Sequence, residues 1–166
     1  QFGASLFNLQ EARPVAQTTH QVAAFVGPSA GKGPTEGLSG TLTLGGALSL
    51  GADSTNDAEV DDVNIGLSLV SVDLVKPTVT TGGSTRVFVG GDYTVNTTGV
   101  TGLANAVNHA GSTTVPIKLG LVDVSEVRTE VRTTHEAEAF VTRNADFDVN
   151  GGGISLTANQ HNTADL

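Results

Sequence analysis

The stretch Thr18–Val26, TTHQVAAFV, returns further along the chain as Thr133–Val141, TTHEAEAFV. A shorter copy, STRVFV at Ser84–Val89, lies between them. Phe25 and Phe88 of the first two copies are further apart than Phe88 and Phe140 of the last two. Because a period of about 50 residues is typical of repeat architectures, the repeat governs the fold prediction.

Two further matches support the repeat. Ile65–Val72 aligns with Ile117–Val124, at the same shift that separates Phe88 from Phe140, and Gly45–Leu50 resembles Gly152–Leu156. The first spacing is longer than the second, and we assign the surplus to a loop insertion within residues 27–40, which is rich in glycine and proline. Since long surface loops close at a small entropic cost, replacing this loop with a short turn should leave the melting temperature nearly unchanged.

Within each repeat, apolar and polar residues alternate. Short runs such as Leu42–Leu44, Tyr93–Val95 and Phe147–Val149 place apolar residues two apart and are followed by Gly or Asn. This period predicts short β-strands separated by turns. Only residues 3–12 and 102–110 are compatible with short helices.

Short strands at a fixed long period predict an all-β solenoid, a parallel β-helix with stacked coils. Each repeat would hold two coils of about 26 residues. A β-sandwich is the alternative, whereas two and a half propeller blades could not close a ring. We assign residues 18–166 to a β-solenoid domain of about two and a half repeats, and residues 1–17 to an N-terminal segment of unknown role.

Composition excludes several classes of protein. The 166 residues carry a net charge of −9, from 17 acidic and 8 basic residues, which disfavours binding to nucleic acid. Without cysteine, the chain forms neither disulfides nor thiolate metal sites. No apolar run is long enough to span a membrane. Since the sequence begins Gln1-Phe2-Gly3, we interpret it as a mature chain or an excised piece of a larger one.

Three Phe-Val copies and the stretch GISLTANQHNTA at Gly153–Ala164 carry a family resemblance. The sequence resembles the repeat regions of large secreted bacterial filamentous adhesins, of the filamentous-haemagglutinin and leukotoxin type. The resemblance covers residues 18–164 and implies a right-handed parallel β-helix exported to the cell surface. It also implies that no residue is catalytic, so we expect no enzyme activity.

Two motifs are weaker than they first look. Gly27 and Gly31 precede Lys32, but a phosphate-binding loop needs one more residue between the glycines and a Ser or Thr after the lysine. The four histidines have no partner at metal-ligand spacing in the sequence. His20 and His135 are repeat equivalents, which favours a structural role for both.

An acidic cluster provides the only candidate metal ligands: Asp53, Asp57, Glu59, Asp61 and Asp62. Several oxygens close together are what calcium needs. The cluster contains no recognised calcium-loop motif, so a solvated acidic strand is the simpler interpretation, and we expect no other cofactor.

We therefore predict a structural or adhesive segment of an extracellular bacterial filament, which builds a rigid stalk and presents loops for surface attachment. Its partners would be other copies or further segments of the same filament. One alternative is a small secreted subunit that polymerises by itself into an extracellular fibre. A carbohydrate-active β-helix enzyme is the other.

Overall fold

A computed structural model describes residues 2–27, 39–142 and 144–166, which form twelve β-strands and no helix. The first strands are β1 (Phe2–Ala12), β2 (Val15–Val26) and β3 (Ser39–Thr43). The next are β4 (Leu48–Val75), β5 (Thr78–Val89) and β6 (Asp92–Thr97). The remainder are β7 (Val100–Leu119), β8 (Val122–Val127), β9 (Glu130–Thr133), β10 (Glu136–Val141), β11 (Asp146–Val149) and β12 (Ile154–Asp165).

These strands form three sheets, and every described pairing is parallel. Sheet A has the order β1-β4-β7-β12, with β8 also paired to β4. Sheet B has the order β10-β5-β2, with β9 also paired to β5, and sheet C has the order β11-β6-β3. The chain therefore visits A, B and C in turn, and we call each such traverse a pass. The antiparallel pairing of an immunoglobulin-type sandwich does not occur among the described strands.

The sequence alignment of the repeats is confirmed by the strand register. Phe25 lies beside Phe88, and Phe88 lies beside Phe140. Ile65 lies beside Ile117, as the alignment of the repeats requires. Each copy of the repeat thus occupies the same position in a successive pass.

The predicted coil length of about 26 residues is wrong. β4 pairs with β7 at the full spacing of the repeat, since Ile65 and Ile117 are partners, and β2 pairs with β5 through Phe25 and Phe88. One repeat is therefore one pass rather than two coils. The physical reason is the length of β4, whose 28 residues take up more than half of a pass.

The loop insertion falls between β2 and β3. Val26 pairs with Val89, and Ser39 pairs with Asp92. The segment from Val26 to Ser39 therefore contains many more residues than the equivalent segment from Val89 to Asp92 in the next pass. Most of this segment, residues 28–38, lies outside the described residues. Lys32, with its resemblance to a phosphate loop, lies there too.

Both stretches predicted as possible helices are strands. Residues 3–12 belong to β1, which pairs with β4, and residues 102–110 belong to β7. Gly102, Ala104 and Ala106 alternate with exposed or half-buried residues along β7 and are themselves buried. A period of two with small residues on the buried face therefore gives a strand here, whatever the helix propensity of alanine.

The core lies between sheets A and B and is built from small side chains. Ala52 and Ala104 of sheet A pack with Val87 of sheet B, while Ala58 and Ala110 pack with a second group around Val79. A methyl group at Gly102 would approach Val87 Cγ1 to 2.9 Å. Small residues on sheet A therefore set how closely the two sheets approach.

Phe25, Phe88 and Phe140 form an aromatic column along sheet B. The rings of Phe25 and Phe88 stack at 5.1 Å with an interplanar angle of 6°, and those of Phe88 and Phe140 at 5.3 Å and 10°. Repeat-equivalent aromatic rings therefore stack from one pass to the next. Since neighbouring side chains on a strand point to opposite faces, Phe88 lies on the face of β5 opposite Val87 rather than in the core between the sheets. Phe88 is 1% exposed, but Phe25 at the edge of the column is 42% exposed.

Candidate functional site

A column of asparagines crosses the interior of sheet A. Asn56 on β4, Asn108 on β7 and Asn162 on β12 are in register. Asn56 Nδ2 donates to Asn108 Oδ1 at 2.6 Å, and Asn108 Nδ2 donates to Asn162 Oδ1 at 2.8 Å. Asn56 and Asn108 are completely buried. We call these three residues the asparagine column.

Two histidines converge on Asn56 from sheet B. His20 Nδ1 lies 2.7 Å from Asn56 Oδ1, and His135 Nδ1 lies 3.1 Å from Asn56 Nδ2. Because the amide oxygen only accepts, His20 must donate from Nδ1. The two repeat-equivalent histidines thus both contact Asn56, His20 from an exposed position and His135 from a buried one.

His135 also connects Asn56 to two hydroxyl groups, Thr85 on β5 of sheet B and Ser54 on β4 of sheet A. Its Nε2 lies 2.8 Å from Thr85 Oγ1, which lies 2.6 Å from Ser54 Oγ. With the hydrogen on Nε2, His135 accepts from Asn56 and donates to Thr85, so both buried partners are satisfied. The alternative tautomer donates from Nδ1 to Gly82 O at 3.2 Å but leaves one Asn56 hydrogen without an acceptor. We therefore assign the Nε2–H form.

Gly83 explains how two histidines fit into one column. It lies beside His20 in the register and is equivalent to His135 one pass later. Its φ of +119° is in the left-handed region, and a Cβ there would come within 1.8 Å of His20 O. Only glycine is compatible with this contact. The absent side chain leaves space at this level between the two histidines.

The chemistry of this network is structural. Each buried amide has a partner in the next pass, so a strand shifted by one residue would bury these groups without hydrogen bonds. The column therefore fixes the register of three successive passes. Its donors run in one direction, from Asn56 towards Asn162.

A second cluster lies on the outer face of the same strands. His109 Nδ1 lies 2.8 Å from Asp57 Oδ1, and His109 Nε2 lies 3.1 Å from Asp165 Oδ2. These hydrogen bonds, chiefly that to Asp57, raise the pKa of His109 above its ordinary value. We call these three residues the outer histidine cluster.

The structure does not gather the acidic candidates into one site. Asp53, Asp57, Glu59 and Asp61 are exposed on the outer face of β4, whereas Asp62 is half-buried on the opposite face. Asp57 bonds to His109. Among the described residues, no group of three or more His, Asp or Glu side chains is arranged to hold a metal ion.

The asparagine column was missed by the sequence analysis, although a signal for it exists. Asn56, Asn108 and Asn162 recur at very nearly the spacing of Phe88 and Phe140. None of the repeat segments aligned above contains one of these three asparagines. Asparagines repeated at the period of a pass would have indicated a column.

Within the described ranges, no helix is long and apolar enough to cross a membrane. No known protein family, curated protein or solved structure matches the sequence.

Proposed function

We propose that this chain is a structural and adhesive segment of an extracellular bacterial filament, folded as a right-handed parallel β-helix. It would build a rigid stalk and present loops through its shape, with no catalytic role. The observation that carries the proposal is the in-register stacking of like side chains over successive passes, in the asparagine and aromatic columns.

Columns of this kind support a mechanical role. Each pass repeats the contacts of the one before it, so the structure can lengthen by addition of passes without a new core. Each added pass extends the axis by about 4.8 Å, the spacing of paired strands. The right-handed sense follows from the strong preference of parallel crossover connections for that hand.

An acidic surface suits a soluble exported protein. The net charge of −9 favours solubility and repels anionic polymers. The family resemblance of residues 18–164 points the same way. The self-polymerising subunit is the second candidate, and it is favoured by the uncovered strand edges described below.

Immunogold electron microscopy of intact producing cells tests the location and form of the protein. Antibodies raised against the folded chain should label filaments at the cell surface. Label found only after the cells are permeabilised would overturn the proposal.

A bead assay tests adhesion. Beads coated with the folded chain should attach to the surfaces that producing cells colonise, and beads coated with the heat-unfolded chain should not. Equal attachment of the two bead types would mean that the folded shape carries no adhesive function.

A further inference from the structure

The aromatic column and the valines that follow it in sequence are buried in the middle pass and more exposed at both ends of the stack. Phe88 and Val89 in the middle pass are each 1% exposed. Phe25 in the first pass is 42% exposed, and Val141 in the third pass is 37% exposed. The exposure follows the position in the stack rather than the residue type, so each end presents an apolar surface that a further pass would cover.

At the first end of the stack, β1 covers only part of β4. Along Leu48–Val63, β4 pairs with β7 on one side, and no described strand pairs with its other side. β1 pairs with β4 only from Ile65 onward. Among the described strands, the edge of β4 from Leu48 to Val63 is therefore unpaired beside the first pass.

At the opposite end of the stack, β12 covers the complementary part of sheet A. β12 pairs with β7 and is the only described strand of the pass that follows β8–β11. On the side away from their one partner strand, β8, β10 and β11 have no described partner. The register places β12 over the same part of sheet A as the open edge, because Leu48, Val100 and Ile154 are aligned. In a second copy, β12 would therefore fit the unpaired edge of β4. In the same way, β1, β2 and β3 would fit the unpaired edges of β8, β10 and β11.

We propose that a second copy of this chain docks head to tail, with β12 of one copy adding in parallel to the Leu48–Glu59 edge of the next. The proposal rests on the stacked arrangement given under Proposed function and names its partner. Strand addition of this kind uses main-chain hydrogen bonds for affinity and aligned side chains for specificity.

The side-chain columns fit this joint. Asn162 Oδ1 accepts from Asn108, so Asn162 Nδ2 is the column's next donor. In the joint it faces Asn56 of the next copy, whose carbonyl oxygen can accept a second hydrogen bond. Phe140, half-buried in one copy, meets the exposed ring of Phe25 in the next. Both columns continue in register across the joint.

Charge opposes the joint and makes it sensitive to salt. The register brings Asp165 beside Glu59 of the next copy, and each copy has a net charge of −9. Screening weakens this repulsion, so added salt should shift the protein from monomer towards longer assemblies. The matched variant Glu59→Gln should form the same assemblies at lower salt.

Cysteine cross-linking tests the joint directly, since the natural sequence has no cysteine. Ser49 and Ser155 are exposed and aligned on either side of Thr101. Within one copy they are two strand spacings apart, about 9.6 Å, which is too far for a disulfide. In the joint they are adjacent.

An equal mixture of the single variants Ser49→Cys and Ser155→Cys should oxidise mainly to the mixed dimer. The double variant should give a ladder of covalent oligomers. The control pairs Ser49→Cys with Asn159→Cys, which lies out of register with Ser49, and should lose the mixed dimer. Equal yields of all pairings, or monomer alone at every salt concentration, would overturn the joint.

A blocking variant checks the same surface without chemistry. Ala158→Lys places a charge on the inner face of β12, where the joint would bury it, and should abolish the assemblies. Thr157→Lys adds the same charge to the outer face and should leave them intact. Surface filaments without cross-links would overturn only the joint, and cross-links without surface label would overturn only the filament role.

Discussion

Neighbouring residues on the same strands build two polar clusters of opposite character. Asn56 and Asp57 are adjacent on β4, and Asn108 and His109 are adjacent on β7. Asn56 and Asn108 of the asparagine column lie in the interior and the outer histidine cluster lies at the surface, although their hydrogen bonds have similar lengths. Hydrogen-bond geometry therefore does not set the energetic weight of a contact in this molecule, whereas burial does.

The difference arises from what replaces each bond when it is broken. Water can take the place of a partner at His109, which is partly exposed. Asn56 has no such access, because its side chain is completely buried. A buried donor that loses its acceptor costs about 1–3 kcal/mol, whereas exposed pairs contribute little.

The largest expected loss of folding stability is in the aromatic column. Phe88→Ala removes a completely buried ring between two stacked neighbours and should destabilise the protein by about 3–5 kcal/mol. Chemical denaturation monitored by circular dichroism measures this loss. Phe25→Ala is the matched control at the exposed end of the column and should cost clearly less. A loss below about 1 kcal/mol for Phe88→Ala would show that the ring is not packed.

The asparagine column should come next. Asn108→Ala leaves one of the two Asn56 Nδ2 hydrogens without its acceptor, while the other is still accepted by His135, and should cost about 2–3 kcal/mol. The control is Asn105→Ala, the same change on the outer face of the same strand, which should stay within about 0.5 kcal/mol. Similar losses for the two variants would remove the distinction between buried and exposed columns.

A double-mutant cycle measures the column as a unit. Asn56→Ala and Asn108→Ala each break the bond that joins the two residues. The double variant should therefore lose less than the sum of the single losses, with a coupling of about 1–3 kcal/mol. Strictly additive losses would mean that the two amides act independently.

The stacking of the passes could be predicted from sequence because like residues recur at nearly the same spacing once the loop insertion is allowed for. Phe25, Phe88 and Phe140 align in the sequence repeat, and the strand register pairs the same three residues. The division of the pass into strands could not be predicted in this way. Short strands and two coils for each repeat were predicted, whereas β4 alone runs for 28 residues.

Which residues face inward depended on which stretches were taken as strands. Treating residues 102–110 as a possible helix hid the alternation of Gly102, Ala104, Ala106 and Asn108. With that alternation, the period of the repeat would have placed Asn108 beside Asn56 on the buried face. The convergence of His20 and His135 on Asn56 involves a second sheet, so no spacing within the sequence encodes it.

For the acidic cluster, the face of the strand could be predicted from the sequence, but a metal site did not follow from it. Alternation correctly places Asp53, Asp57, Glu59 and Asp61 on one face of β4. Residues on the same face of a strand are about 6.7 Å apart, so their carboxylates spread along the edge instead of converging. A metal site on such a strand would need ligands from the neighbouring strand, and there β7 presents Asn105, His109 and Gly111.

The smallest expected effect is the pH dependence of the outer histidine cluster. Its partners raise the pKa of His109 in the folded protein above the ordinary value of 6.5. The protonated form is therefore favoured by folding. Its stabilising contribution is fully present below pH 6.5 and is lost as the pH rises through the higher, folded pKa.

Comparison of the natural protein with His109→Gln isolates this contribution, because His20, His135 and His161 are present in both. The urea midpoint of the natural protein, relative to the variant, should fall as the pH is raised from mildly acidic to mildly alkaline. High salt should flatten the difference, since the cluster is exposed to solvent. The difference in urea midpoint between the natural protein and Asn108→Ala should not depend on salt, because the hydrogen bond lost in that variant lies in the interior. A difference between natural protein and His109→Gln that grows with rising pH would reverse the assigned sign and show that Asp57 and Asp165 do not hold the proton on His109.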